Sequence, residues 1–259
     1  MKNALIGYTG FLGSNLKLQN KFDFFFNTNN INNIKNNSYD LVVCCAPNAE
    51  KWLANKNPNN DLENIEKLIS NLKYIKCNKF ILLSTVDVFS LPSNVDEDTL
   101  VEEKFLKPYG LNRRSLEKFV EKNFPNKMIV RLPGLVGPGL KKNIIFDLHN
   151  NNQLSKVDSR NLYQFYPVVE LWKCINLANN LNKELVHFSS EPVSVSEISR
   201  QCFGKFFLNE LDDPIQKYDL KSLYTKGIFG RVGPYLYSKS EIFEYITTYA
   251  KSEDKKKDK

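Results

Sequence analysis

A chain of 259 residues, 42% of them hydrophobic, can bury one large core with a smaller lobe attached and is too apolar to remain disordered. Its formal charge of +7 would admit a polynucleotide, but the lysines are spread along the chain and gather only between Lys251 and Lys259. Such an excess suits an anionic small ligand equally well, and nucleic acid is not expected as a partner. The five cysteines (Cys44, Cys45, Cys77, Cys174 and Cys202) form no Cys-x-x-Cys, so no zinc spacing arises and a reducing, cytoplasmic setting is expected. No apolar run reaches the ~18 residues of a membrane span.

The first apolar run, Ala4-Leu5-Ile6, stops at a glycine and reads as a buried strand. Phe11 to Asn20 carries Phe11, Leu12, Leu16 and Leu18 as a helical stripe. Asp23 to Phe26 predicts a second strand, and the Asn-rich link through Asn37 is too short for a long crossover helix. Leu41 to Cys45 is continuously apolar, as a parallel strand covered on both faces must be. The spacing Leu62, Ile65, Leu68, Ile69, Leu72 predicts an amphipathic helix over 59–75.

Phe80 to Leu83 is the next strand, ending at Ser84-Thr85, and a helix is expected from Tyr109 to Lys122. Met128 to Val130 is a further strand. Helix 168–181 and strand 185–188 follow, with later helices at 194–202 and 238–249. Alternation of strand and helix predicts an α/β class, a doubly wound parallel Rossmann sheet with a smaller C-terminal lobe. The expected division is a nucleotide-binding domain over 1–190, with an excursion near 140–160 into the lobe, then the lobe itself over 191–250. Lys251 to Lys259 reads as a charged, frayed tail. His149 and His187 read as structural, and Trp52 and Trp172 as core or lobe-interface residues.

Gly7-Tyr8-Thr9-Gly10-Phe11-Leu12-Gly13 stands between the first strand and the first helix. Glycines there allow a sharp turn, close approach of backbone to a pyrophosphate and tight packing of helix on strand, while the helix N-terminus offers free N–H groups to an anion. Where an acid would bind the ribose diol of NAD, the second strand ends in Asn27 and Thr28. Neutral groups do not repel a 2′-phosphate, so the cofactor is expected to be NADP or NAD, with a slight preference for NADP.

Two further segments carry chemistry. Ser84-Thr85-Val86-Asp87-Val88-Phe89 lies at the carboxyl end of a buried strand, where open α/β sheets bind ligands. In Tyr109-Gly110-Leu111-Asn112-Arg113 the tyrosine and arginine are four apart and share a helix face, with Glu117 at the same spacing beyond. A hydroxyl, a phenol and a cation together can polarise a carbonyl and move its proton.

With the glycine loop and with Arg131 followed by Gly137-Pro138-Gly139, these segments resemble the extended short-chain dehydrogenase/reductases, the NAD-dependent epimerase/dehydratase superfamily. Ser-Thr-Val-Asp-Val-Phe is similar to the strand motif of the dTDP-4-dehydrorhamnose reductase type. Tyr166-Pro167-Val168-Val169-Glu170 loosely matches a later segment of the superfamily.

The resemblance implies an enzyme that moves hydride between a nicotinamide cofactor and a nucleotide-activated sugar, a keto-sugar nucleotide reductase before an epimerase or dehydratase. It implies Tyr109 as proton donor or acceptor and Thr85 as the bond to the substrate oxygen. Arg113 stands where a lysine normally holds the nicotinamide ribose and lowers the tyrosine pKa. Cofactor contacts are expected from Gly7, Gly10, Phe11, Leu12, Gly13, Asn27, Ala46, Pro47, Ser84, Tyr109, Arg113 and Pro133.

Asp87, Arg131 and Asn143 are the candidate substrate contacts. Arg131 can equally anchor the sheet end, and Asn143 can serve only its own loop. A homodimer through helices 59–75 and 109–122 is also implied. The competing reading is a catalytically degenerate cofactor sensor or partner-binding protein, and Arg113 is the residue that separates the two.

Overall fold

The computed structural model describes residues 1–257. Six short apolar strands build its main sheet: β1 (Asn3–Ile6), β2 (Phe24–Phe26), β3 (Ser38–Cys44), β4 (Lys76–Thr85), β5 (Lys127–Leu132) and β6 (Leu185–His187), in the order β6-β5-β4-β3-β1-β2. The sheet is parallel, with Ile6 opposite Cys44 and Val42 opposite Phe80. Parallel strands are covered on both faces, which is why Ala4, Leu5, Val42, Val43, Phe80 and Leu82 are all buried and the apolar runs do not alternate.

The chain separates into two compact units, the first formed by Met1–Ser90, Thr99–Arg131 and Trp172–Val186, the second by Leu91–Asp98, Leu132–Leu171 and the chain from His187 onward. Helices α1 (Phe11–Gln19), α2 (Lys51–Lys56), α3 (Pro58–Leu72) and α4 (Pro108–Asn123) belong to the first unit. Its core joins Ile65, Leu68 and Leu72 of α3 and Leu116 and Val120 of α4 to Val42, Phe80 and Leu82 of the sheet. Phe80 and Phe124 stack there at 4.2 Å between ring centres. Proline opens both α3 and α4, in the first turn, where its missing N–H costs no hydrogen bond.

The second unit is a set of two-stranded pairings and helices. Gly134–Val136 pairs with Phe165–Pro167, Leu162–Tyr163 with Val193–Ser194, and Ser93–Val95 with Asp219–Leu220. Buried Glu97 fastens the 91–98 segment by accepting from the backbone N–H of His187 and of Leu223 and from the Ser222 hydroxyl. Ser194 and Glu197 form a reciprocal capping box at the start of the helix Val195–Phe203.

Several expectations change. The excursion out of the sheet unit begins at Leu132 rather than near 140, and a second one, Leu91–Asp98, had no compositional signal. The last helix runs Lys239–Lys257, eight residues past Tyr249, so the charged segment is helical as far as it is described. Asp258 and Lys259 lie outside the described residues. The helix expected from Val168 starts at Leu171, after a 3-10 turn. Leu18 and Trp52 are exposed, not core residues, since α1 and α2 are short and each turns one side to solvent. Among the described residues no helix is long and apolar enough to cross a membrane.

Candidate functional site

The glycine loop occupies the turn from β1 into α1. Gly7 has φ +80°, in the left-handed region, and its N–H donates to the Phe26 carbonyl at 2.7 Å. A side chain at Gly13 would overlap the Gly7 carbonyl oxygen, so α1 can lie this close to the loop only with glycine there. No side chain caps the α1 N-terminus. The amide groups of Phe11 and Leu12 head a first turn that carries no acidic side chain, a surrounding suited to an anion. At the end of β2 the Asn27 side chain donates to the Tyr8 hydroxyl at 3.4 Å and accepts from the Asn29 N–H at 2.9 Å. Ala46 and Pro47 follow β3, joined by a cis peptide bond.

The second cluster lies where β4 ends and α4 begins. Thr85 accepts from the Asp87 N–H at 3.1 Å and its hydroxyl reaches Asp87 Oδ2 at 3.4 Å. Gly110 allows the first turn of α4 to rest on the Asp87 carbonyl, since a Cβ there would overlap that oxygen. The Tyr109 N–H donates to Asn55 Oδ1 of α2 at 3.0 Å. Together these contacts hold the Tyr109 turn of α4 beside the Thr85–Asp87 turn at the end of β4.

Tyr109 is 5% exposed. Burial pushes its hydroxyl above the ordinary tyrosine range; Arg113 pulls it down and Asp87 up, and Lys51 and Thr85 pull it down by less than burial raises it.

Arg113 does not stand as an open cation beside that phenol. Its guanidinium is ion-paired to Asp61 of α3, donates to the Asn48 carbonyl at 2.6 Å and stacks 4.1 Å from the centre of the Tyr109 ring. Asp61 accepts from Asn112 Nδ2 as well, at 2.9 Å. The arginine thereby ties Asn48, in the loop after β3, and Asp61 of α3 to α4.

Sequence reasoning passed over Asp61, Asn48, Asn55 and Lys51. Asp61 lay in a helix recognised by its apolar spacing, and α2, at six residues, is too short to show any period. Lys51, at its start, makes a 2.6 Å ion pair with Asp87 Oδ1. Asp87, expected as a loop acid or substrate contact, is held inside this cluster.

Ser84 and Arg131 turn away from it, toward Glu117. Glu117 is 0% exposed; it accepts from the Ser84 hydroxyl at 2.6 Å, from Arg131 Nε and Nη2 at 3.0 and 2.8 Å, and from Arg114 Nη1 at 2.8 Å. Arg131 is buried at the sheet end, with Nε and Nη2 on Glu117 and Phe89 beside its guanidinium. Asn143 belongs to the second unit. Its side chain caps the helix Ile144–Asn150 through the Ile145 and Phe146 N–H groups and donates to the Leu135 carbonyl at 2.8 Å, which occupies the group expected to reach a sugar nucleotide. Pro133, also in that unit, links β5 to Gly134–Val136.

No protein-family model matches the chain, and no curated protein matches it in sequence. Solved structures do match, over nearly its whole length. A UDP-glucose 4-epimerase with UDP-glucose from Thermotoga maritima superposes with a TM-score of 0.74 at 15% identity, covering 99% of each chain. A UDP-glucuronic acid 4-epimerase mutant from Bacillus cereus, in complex with a fluorinated UDP-glucuronic acid and NAD, gives 0.71 at 18% identity over 97% of this chain and 99% of that one. A dTDP-4-dehydrorhamnose reductase from Yersinia enterocolitica gives 0.71 at 16% identity over 96% and 99%. At these identities the likeness is one of fold, and the chain has the fold of the NAD-dependent epimerases, dehydratases and reductases of nucleotide sugars.

Proposed function

We propose that the protein is an NAD(P)-dependent oxidoreductase of nucleotide-activated sugars, and within that class a keto-sugar nucleotide reductase. The observation that carries the reading is the packing of the Tyr109 turn of α4 on the Thr85–Asp87 turn at the carboxyl end of β4, in the unit that also holds the glycine loop. The glycine loop fits a dinucleotide: Gly7 and Gly13 let loop and helix pack closely, and the Phe11 and Leu12 amides at the uncapped helix end would bind a pyrophosphate. Asn27 would meet the adenosine ribose, and Ala46 and Pro47 would line the dinucleotide. The UDP-glucuronic acid 4-epimerase mutant that this chain resembles in fold is in complex with NAD, and a preference for NADP is not carried forward.

When bound, the cofactor supplies or accepts hydride at a sugar carbon. Tyr109, whose burial favours the neutral phenol over the phenolate, suits the reductive direction, in which a new alkoxide takes a proton. Thr85 would hold the same oxygen, and Arg113 would keep the Tyr109 ring in place by stacking on it.

The test is titration with NADH and NADPH by fluorescence, then turnover of nucleotide-linked 4-keto sugars. Tyr109→Phe is expected to lower turnover by about 100-fold or more with cofactor affinity nearly unchanged. Cofactor binding with no turnover of any such sugar overturns the reductase reading. A second reading, a catalytically degenerate cofactor sensor, then gains; it is favoured by the engagement of Arg113 with Asp61 and Asn48.

A further inference from the structure

Tyr8 is the large side chain between Gly7 and Gly10 of the glycine loop, and its hydroxyl meets Asn27 at the end of β2, 19 residues further along the chain. The ring is held from two sides. Phe25 of β2 meets it edge-on at 5.5 Å between ring centres, and Lys17 of α1 places its ammonium 5.9 Å from the Tyr8 ring centre and 5.3 Å from that of Phe25.

The hydroxyl is met by an amide whose orientation is fixed. The Asn27 N–H donates to Asn30 Oδ1 at 2.7 Å, and Asn30 Nδ2 donates to the Phe25 carbonyl at 2.9 Å, which fastens the exit from β2. Asn27 Oδ1 accepts from the Asn29 N–H at 2.9 Å, so the other end of that amide, Nδ2, faces the Tyr8 hydroxyl at 3.4 Å. An amide nitrogen only donates. The phenol oxygen is therefore the acceptor in this bond and keeps its own hydrogen for a different partner.

The end of the second strand is where a dinucleotide fold meets the adenosine ribose, with an acid that accepts from the ribose hydroxyls. Here Asn27 and Thr28 stand in the acid's place. A phenol hydrogen turned to the same ligand calls for an oxygen that accepts.

We propose that Tyr8 is a cofactor contact of the glycine loop, its hydroxyl donating to an adenosine ribose oxygen while Asn27 holds the phenol in place. The proposal rests on the reading of the loop as a dinucleotide site and is independent of the sugar and of Tyr109. One residue then serves both ends of the contact, its backbone in the pyrophosphate turn and its side chain at the ribose.

The experiment is a fluorescence titration of the full chain with NADH, with its 2′-deoxyadenosine and 3′-deoxyadenosine analogues, and with NADPH. The native chain is expected to bind one of the two analogues about 3- to 10-fold more weakly than NADH, the loss of one neutral hydrogen bond. Tyr8→Phe keeps the ring on Phe25 and removes only the hydroxyl. It should weaken NADH by the same factor and no longer distinguish NADH from that analogue.

Unchanged NADH affinity in Tyr8→Phe overturns the proposal, as does equal affinity of the native chain for NADH and both analogues. Weakening of NADH and both analogues by one common factor also overturns it, because a hydroxyl that only supports the loop would act on all three alike. A native chain that binds neither NADH nor NADPH sinks the dinucleotide reading itself, and one that binds NADPH alone overturns the ribose contact. Tight NADH binding that is indifferent to Tyr8→Phe removes the role of Tyr8 and leaves the dinucleotide reading standing, so the two failures are distinguishable.

Discussion

Arg113 and Asp61 form a buried ion pair between α4 and α3, and the same guanidinium stacks on the ring of Tyr109. Removing one partner strands the other charge away from water. Arg113→Met is expected to destabilise the fold by about 3 kcal/mol, measured by urea unfolding, and Asp61→Asn added to it to recover much of that loss. Additive losses in the double variant would show that the two residues are not coupled.

Glu117 serves Ser84, Arg114 and Arg131 at once, joining β4, α4 and β5 behind the hydroxyl pair. Its loss leaves Arg131 buried with no carboxylate. Glu117→Ala should cost about 3 to 5 kcal/mol and lower Tm markedly, whereas Ser84→Ala, which deletes one hydrogen bond to that carboxylate, should cost about 1.5 to 3 kcal/mol. If Ser84→Ala alone abolished cofactor binding without loss of stability, Ser84 would be a cofactor contact after all.

Two glycines separate the two halves of the site. A methyl at Gly110 would strike the Asp87 carbonyl and lift the start of α4 away from β4, parting Tyr109 from Thr85. Gly110→Ala is expected to cost about 1 to 3 kcal/mol and to remove turnover while dinucleotide binding persists. A methyl at Gly10 meets only the Gly7 carbonyl oxygen, at 3.4 Å, so Gly10→Ala should fold normally. Its effect should be on the dinucleotide, read as weaker binding in the fluorescence titration.

The acid limb of stability should depend on Glu241, which opens the last helix. Its carboxylate binds Arg231 at 2.8 Å and accepts from the Ser238 N–H at 2.8 Å. The Arg231 guanidinium is the main cause that holds its pKa down at about 2 against an ordinary 4.5. A carboxyl with a depressed folded pKa stabilises the fold above its unfolded value and loses that contribution as pH falls from about 4.5 toward 2. Glu241→Gln should flatten the fall of Tm across that window and lower Tm slightly at pH 7. An unchanged acid limb would mean that the ion pair contributes nothing to stability in solution.

The strands were legible because a parallel sheet covered on both faces demands continuous apolar runs, and Ala4 to Ile6, Leu41 to Cys44 and Phe80 to Leu83 supply them. The glycine loop was legible because Gly7 and Gly13 meet steric limits that only glycine satisfies. Tyr109 and Thr85 could be named from their motifs. The partners that set their chemistry could not, because Asp61, Asn48 and Lys51 lie far from Arg113 and Asp87 in the chain and carry no local pattern. The same holds for Glu117, whose spacing after Arg113 showed a helix face but not the two arginines it receives.

The sequence by itself thus determined the fold class and the glycine turn, since each follows from local periodicity or from the steric need of one position. Tertiary structure decided what Arg113 does. Its length and planar fork let it reach either a ribose or a carboxylate, and only the packing of α3 against α4 placed Asp61 within its grasp. It was the same packing of short elements that put Lys51 on Asp87.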